Sequence, residues 1–309
     1  MTRAVVAIVA LTLAACTPDP PPVPPPTPKA PAGGTRVVLL GTGTPVPDPD
    51  RSGPSLAVVA GGQAYLVDFG PGVVRRAQAA FLAGVKELEA TRLTRAFVTH
   101  LHSDHTAGYP DLVLTPATVG RRAPLEVYGP LGIELMTSHV LAAWARDLAA
   151  RERASGELLR GSDLVAAHDV QPGVVYRDAN VTVKAFAVGH GACPNAYGYR
   201  FEAADRTVVV SGDTGPGDAV ATACSGCDVL VHEVYSAARL ALGPPGWRAY
   251  HESSHTSTVE LARTARAARP KLLVLTHALL WGATEEELLA EVRAGYDGKV
   301  VLGNDLDVW

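Results

Sequence analysis

The 309-residue chain has no run of basic residues, no apolar stretch long enough to cross a bilayer as a helix, and only four cysteines. Its formal net charge is −4. Without a basic run, the electrostatics are poor for a dedicated nucleic-acid binder, so no nucleic-acid partner is expected. Spanning the hydrocarbon core takes about 20 apolar residues, and the longest apolar segment, Ala4 to Ala15, falls short of that. Few cysteines exclude a small fold held together by disulfides. No second linker divides the chain after residue 34, so one sizeable core is expected over residues 35–309.

The first 34 residues read as something other than fold. Arg3 precedes the short apolar run, which ends in Leu13-Ala14-Ala15-Cys16. That order resembles a bacterial lipobox, in which the cysteine becomes the acylated N-terminus after cleavage. The alternative is an ordinary signal peptide cut nearby. Residues 1–16 are therefore expected to be a lipoprotein signal with Cys16 lipidated. Residues 17–34 follow as a Pro-rich tether whose fixed φ and missing donors prevent a packed core. The expected location is the bacterial cell envelope, on the periplasmic face of a membrane or the cell surface.

What the chain does have is Thr99-His100-Leu101-His102-Ser103-Asp104-His105, directly after the apolar Ala96-Phe97-Val98. Three imidazoles and a carboxylate at the end of a short buried strand are the donors that zinc and related divalent ions select. The chain's ten histidines rarely cluster so by chance. One such cluster cannot close two metal sites. Three further strand-like runs each deliver one ligand-type residue at their C-terminal ends. Val183–Val188 ends in Gly189-His190, Thr207–Val210 in Ser211-Gly212-Asp213-Thr214, and Leu272–Leu275 in Thr276-His277.

Together with Val67-Asp68-Phe69-Gly70, these motifs in this order resemble the metallo-β-lactamase superfamily, over about Thr35 to Trp309. The resemblance extends to the ribonuclease Z and arylsulfatase-like branch. It is carried by Leu40-Gly41-Thr42-Gly43-Thr44-Pro45, Tyr128-Gly129-Pro130, Tyr197-Gly198-Tyr199-Arg200-Phe201, Cys227–Glu233 and Ser254-His255-Thr256-Ser257. It implies an αββα four-layer sandwich (an α/β fold) with ligands on loops along one edge. It implies that His100, His102 and His190 hold one divalent ion, that Asp104, His105 and His277 hold a second, and that Asp213 bridges them. Zinc is the default metal, and manganese or iron accept the same ligands. Asp68 would support the site without being a ligand, and His232 would be buried behind it. Glu233 and His255 would form a carboxylate–imidazole pair that protonates the leaving group, with His251 as the rival for that role and Asp104 beside the nucleophile.

The strand-like runs are Arg36–Leu40, Leu56–Ala60, Ala64–Val67, Ala96–Thr99, Leu125–Tyr128, Val181–Ala187, Tyr197–Glu202, Thr207–Ser211, Val229–His232, Lys271–Thr276 and Lys299–Leu302. Helical periodicity covers Arg75–Glu89, Glu134–Arg153, Thr258–Ala268 and Thr284–Ala294. His139 and His168 fall outside the motifs and read as structural or surface residues. Cys224-Ser225-Gly226-Cys227 reads either as a tight disulfide or as two reduced thiols, and Cys193 stands close to His190 in sequence.

In ribonuclease Z an arm that grips tRNA is inserted between the segments matching Tyr197–Phe201 and Ser211–Thr214. Here only ten residues, Phe201 to Val210, join Arg200 to Ser211, enough for a hairpin and no arm. The expected function is therefore an exported, lipid-anchored, dinuclear metal hydrolase. It would cleave small phosphodiester or sulfate esters with a metal-bridging hydroxide. The alternatives are a lactone, carboxylic ester or β-lactam-type amide hydrolase on the same site, and a non-catalytic metal-binding lipoprotein.

Overall fold

The computed structural model describes residues 33–155 and 161–309. The expected signal, Cys16 and nearly all of the Pro-rich tether lie outside the described residues.

Among the described residues, thirteen strands form two sheets. The first has six strands in chain order: β1 (Arg36–Gly41), β2 (Ser55–Ala60), β3 (Gln63–Val67), β4 (Arg95–Phe97), β5 (Leu125–Gly129) and β6 (Val165–Asp169). The second has seven strands: β7 (Gly173–Arg177), β8 (Val181–His190), β9 (Cys193–Ala203), β10 (Thr207–Val210), β11 (Val229–Tyr235), β12 (Leu272–Leu279) and β13 (Val300–Leu302). The strands β3 to β6 pair in parallel, as do β10 to β13, while hairpins pair the others. Parallel strands covered on both faces read as continuous apolar runs, and β11 is buried at every position, as is the antiparallel β2.

The sheets face each other across a core that includes Val37, Val58, Tyr65, Phe97, Tyr199, Phe201, Val231 and Val274. The other face of the first sheet is covered by helices Val73–Leu82 and Tyr109–Thr118, and that of the second by Ala219–Cys224, Thr258–Ala268 and Glu285–Arg293. This is the αββα sandwich. Its outer edge at β1 is closed by the chain's last residues: Val37 N–H donates to the Trp309 carbonyl and Trp309 N–H to the Val37 carbonyl, each at 2.9 Å.

All eleven expected strands form. Two that were not expected, β6 and β7, are half-exposed and carry only short apolar stretches. The expected helix Arg75–Glu89 ends at Leu82, where Ala83-Gly84 turns the chain (Gly84 φ 109°). The expected helix Glu134–Arg153 is two helices that break at Trp144. Cys224 and Cys227 are joined in a disulfide, which decides between the two readings left open. Between Arg200 and Ser211 the chain makes only the β9–β10 hairpin, with Ala203 N–H donating to the Arg206 carbonyl.

Candidate metal centre

The expected ligands arrive from four places along one edge of the sandwich, mostly at or just past strand ends. After β4 the chain leaves the sheet through His100, and His102 caps a single helical turn, Ser103–Thr106, that carries Asp104 and His105. His190 ends β8 and Asp213 follows β10. Asp213 reaches inward because Gly212 has φ 62°, and a Cβ there would lie 2.8 Å from the Tyr197 carbonyl oxygen and 2.9 Å from Thr99 Cβ. His277 sits inside β12 at a bulge, where the pairing with β11 slips between Glu233 and Val234. Its φ of 45° re-aims the ring out of the ladder.

The structure brings all seven residues together. His100, His102 and His190 form one group, Asp104, His105 and His277 another, and Asp213 lies with His100 and His105. Asp213 Oδ2 is 3.8 Å from His100 Nε2, 3.4 Å from His105 Nε2, 3.9 Å from His190 Nε2 and 3.7 Å from His277 Nε2. Asp104 Oδ2 is 3.2 Å from His277 Nε2 and 3.5 Å from His105 Nε2. A carboxylate centred among four imidazole nitrogens is the arrangement a bridging ligand requires.

Outer partners fix which nitrogen of each ring faces inward. Asp68, in a left-handed turn (φ 58°), accepts from the Thr99 amide at 2.7 Å and the Thr99 hydroxyl at 2.9 Å, and its Oδ2 is 2.8 Å from His105 Nδ1. With its proton directed to Asp68, the Thr99 oxygen is left to accept from His100 Nδ1 at 3.0 Å. His190 Nδ1 donates to the Ser254 carbonyl at 2.6 Å. His100 and His105 are thereby held with Nε2 as a free acceptor, and His190 is held with Nε2 directed at His102 Nδ1, 3.1 Å away. Ligand imidazoles are usually oriented by such bonds. Thr99 and Ser254 were not expected in these roles. Thr99 stands beside His100 in sequence, but Ser254 acts through its backbone and leaves no signal in the residue pattern.

Among the described residues, His100 Nε2, His105 Nε2 and Asp213 Oδ1 are buried with no hydrogen-bond partner. Buried polar atoms left so are costly unless something else binds them. Together with the nitrogen and oxygen donor set, they fit divalent metal ions. Burial alone would raise the Asp213 pKa, yet His277, His105 and His100 hold it well below the usual carboxylate range. Burial and the neighbouring His105 push His100 well down, so its ring is kept neutral.

Glu233 and His255 meet beside this group. Glu233 Oε1 accepts from the Thr256 amide at 2.8 Å and the Thr214 amide at 3.3 Å, while Oε2 lies 3.5 Å from His255 Nδ1. Burial would lower the His255 pKa, but Glu233 and Asp213 together raise it above the ordinary histidine value. His251, the rival, is held by burial and by His255 at a pKa of about 4. Its ring packs 4.7 Å from Trp247 and 4.6 Å from Trp281. His232 is buried and bonds through Nδ1 to the Glu233 carbonyl at 2.6 Å, outside every ligand group. His168 pairs with Glu126 at 2.7 Å, and His139 is exposed, both remote from the centre. A cleft of ≈ 850 Å³ opens at Asp104 and Ser103 and is walled by Thr44, Val46 and Arg51.

Comparisons with known proteins agree with this geometry. The family described as "Beta-lactamase superfamily domain" matches residues 63–278. The chain is 36% identical over 274 residues to a ribonuclease Z of Mycobacterium sp. (strain KMS), covering 87% of this chain and 94% of that protein. It is 33% identical to the ribonuclease Z of Mycobacterium tuberculosis H37Rv, over 87% of this chain and 96% of that protein. The crystal structure of human tRNase Z, short form, superposes with a TM-score of 0.62 at 25% identity, covering 89% and 98% of the two chains. The metallo-β-lactamase fold protein YhfI of Bacillus subtilis superposes with a TM-score of 0.68 at 20% identity, covering 90% and 99%. The relatives named for cleaving RNA overturn two expectations: small phosphodiester or sulfate esters as the substrate of the expected hydrolase, and the lack of a nucleic-acid partner. The reasons are physical. Net charge sums the whole surface and says nothing of a local contact, and the missing arm removes one grip rather than every grip.

Proposed function

Because the chain belongs to the ribonuclease Z branch of the metallo-β-lactamase superfamily, we propose that it is a metal-dependent ribonuclease hydrolysing phosphodiester bonds in RNA. The observation that carries this reading is the set of seven converging ligand residues with the Glu233–His255 pair beside them, in a chain matching ribonuclease Z over most of its length.

His100, His102 and His190 would hold one divalent ion, Asp104, His105 and His277 a second, and Asp213 would touch both. Bound there, the ions supply Lewis acidity and lower the pKa of water toward neutrality. The protein's own residues do the rest. Asp68, Thr99 and the Ser254 carbonyl orient the rings. Glu233, fixed through Oε1 by two backbone amides, presents Oε2 to His255 Nδ1 and so keeps that ring protonated. His255 then gives a proton to the departing oxygen. Zinc suits the donor set.

The test is hydrolysis of single-stranded and structured RNA by the full chain at defined metal loading, with metal counted per chain. Phosphodiester cleavage with two ions per chain is expected, and Asp213→Ala should abolish cleavage and lower the ion count. RNA left intact by fully loaded wild type would refute the reading.

Location is a separate proposal. Arg3, the apolar run to Ala15, Cys16 and the Pro-rich stretch support a place in the bacterial cell envelope, and the Cys224–Cys227 disulfide suits an oxidising compartment. Cell fractionation of wild type and Cys16→Ser tests it, and wild type confined to the cytosol would end it.

A further inference from the structure

An aromatic face adjoins the metal centre and has no part in ligation. It lies on the helix Pro245–Ser254, which runs directly into His255. Helical spacing puts Trp247, Tyr250 and His251 on one side of that helix, one turn before Ser254, whose carbonyl holds His190. Trp281, from the loop after β12, joins them: its ring centroid is 4.4 Å from that of Trp247 and 4.6 Å from that of His251. Tyr250 continues the row toward the centre, 4.9 Å from His251 and 6.5 Å from His255. The face is open. Tyr250 is 53% exposed, and Trp247 and Trp281 are half-buried.

Two further observations mark this surface as built for a ligand. Trp281 has φ 45°, a left-handed backbone conformation that a bulky aromatic residue adopts only under constraint. The loop therefore holds an indole at this place against local preference. Arg248, beside Trp247 on the same helix, has no hydrogen-bond or ion-pair partner for its guanidinium among the described residues. A row of π faces with a free cation alongside is the surface that binds unpaired nucleotides, the rings stacking bases and the cation meeting phosphate.

The position completes the argument. The β9–β10 hairpin leaves no arm, and the chain has no basic run. A grip on RNA must then come from near the reacting centre. Tyr250 lies on the His255 side, where the departing oxygen takes its proton. We propose that Tyr250, backed by Trp247, His251 and Trp281, stacks an unpaired base of single-stranded RNA on the leaving side of the scissile phosphate, with Arg248 on the adjoining phosphate. This rests on the ribonuclease reading and names how that substrate is held.

The experiment compares oligouridylate with an abasic ribose-phosphate strand of equal length. Binding to the full chain, stripped of metal by chelator so that nothing is cut, is followed by fluorescence anisotropy. Thermal melts confirm that each variant is folded. Tyr250→Ala should weaken oligouridylate about five- to 150-fold, the range for loss of one stacked base. It should change abasic-strand binding less than twofold, and Tyr250→Phe should restore tight binding because the ring suffices. Arg248→Ala should weaken both strands alike and flatten the salt dependence. Equal loss on both strands with Tyr250→Ala, or no loss on either, overturns the inference. If wild type cleaves RNA while Tyr250→Ala leaves KM unmoved, the stacking inference falls and the ribonuclease reading stands. If loaded wild type cleaves no RNA, both fall.

Discussion

Glu233 and His255 face each other at 3.5 Å, carboxylate Oε2 to ring Nδ1, and the other carboxylate oxygen is pinned by the amides of Thr214 and Thr256. The two amides come from different segments, so the carboxylate cannot rotate away without breaking both bonds. With Asp213, the fixed carboxylate shifts the His255 ring toward its protonated form.

His255→Ala should retain its metal and lose turnover of RNA by about 10²–10⁴-fold, the usual contribution of general acid assistance. The loss should shrink for bis-p-nitrophenyl phosphate, whose phenolate departs without a proton. Metal content measured beside the two rates decides it. A variant stripped of metal would make His255 a ligand, and a variant with unchanged RNA turnover would pass the role to another group.

Asp68→Asn should weaken metal binding by about 10–100-fold while leaving the ligand set intact. The motive is the 2.8 Å contact to His105 Nδ1 and the pair of bonds to Thr99, which together orient two ligand rings. Competition with a chromophoric chelator measures it. Affinity equal to wild type would reduce Asp68 to a turn residue.

Arg121→Met should destabilise the fold by about 2–4 kcal/mol, because a buried carbonyl left without its donor costs about 1–3 kcal/mol. Arg121 is 1% exposed, and its guanidinium donates to the carbonyls of Leu93, Leu112, Val113 and Leu164 at 2.9–3.2 Å. Burial lowers its pKa to about 10, so the charge sits there at a desolvation cost that the four carbonyls offset. Denaturant unfolding of the variant checks it, and a change under 1 kcal/mol would contradict it.

Asp178 supplies the pH dependence. Burial would raise its pKa, but the hydroxyls of Tyr65 and Tyr176 and the amides of Asn180 and Val181 hold it below the ordinary value. A depressed folded pKa stabilises the protein above the unfolded pKa of about 3.9. That contribution should disappear as pH falls below about 4 through the folded value. Melting temperatures against pH for wild type and Asp178→Asn should converge at the acid end, and parallel curves would exclude the role.

Much of this was legible in the residues. Buried parallel strands must be apolar on both faces, which is why runs such as Val229–Val231 and Leu272–Leu275 declared themselves, and ligands at strand ends stood out against them. The helix Tyr109–Thr118 did not, because Pro110 and Pro116 interrupt the pattern, although a proline in the first turn is tolerated. The strands β6 and β7 stayed hidden because their apolar stretches, Val165–Ala167 and Val174–Tyr176, are short and only half-buried. Backbone partners, such as the Ser254 carbonyl on His190, cannot be read from side-chain identity at all. The substrate was misread for a related reason: charge counted over the whole chain is silent about one local face.

The pairing of Val37 with Trp309 has a consequence for synthesis. The first strand is made early, and the segment that covers its open edge is made some 270 residues later. Until that segment is made, β1 presents unpaired amides and carbonyls to any passing strand. The contact that seals it spans nearly the whole domain, the kind that forms slowly. A nascent chain that stalls a few residues short would carry a complete metal centre and an unsealed edge, and would be lost to aggregation before it was lost to catalysis.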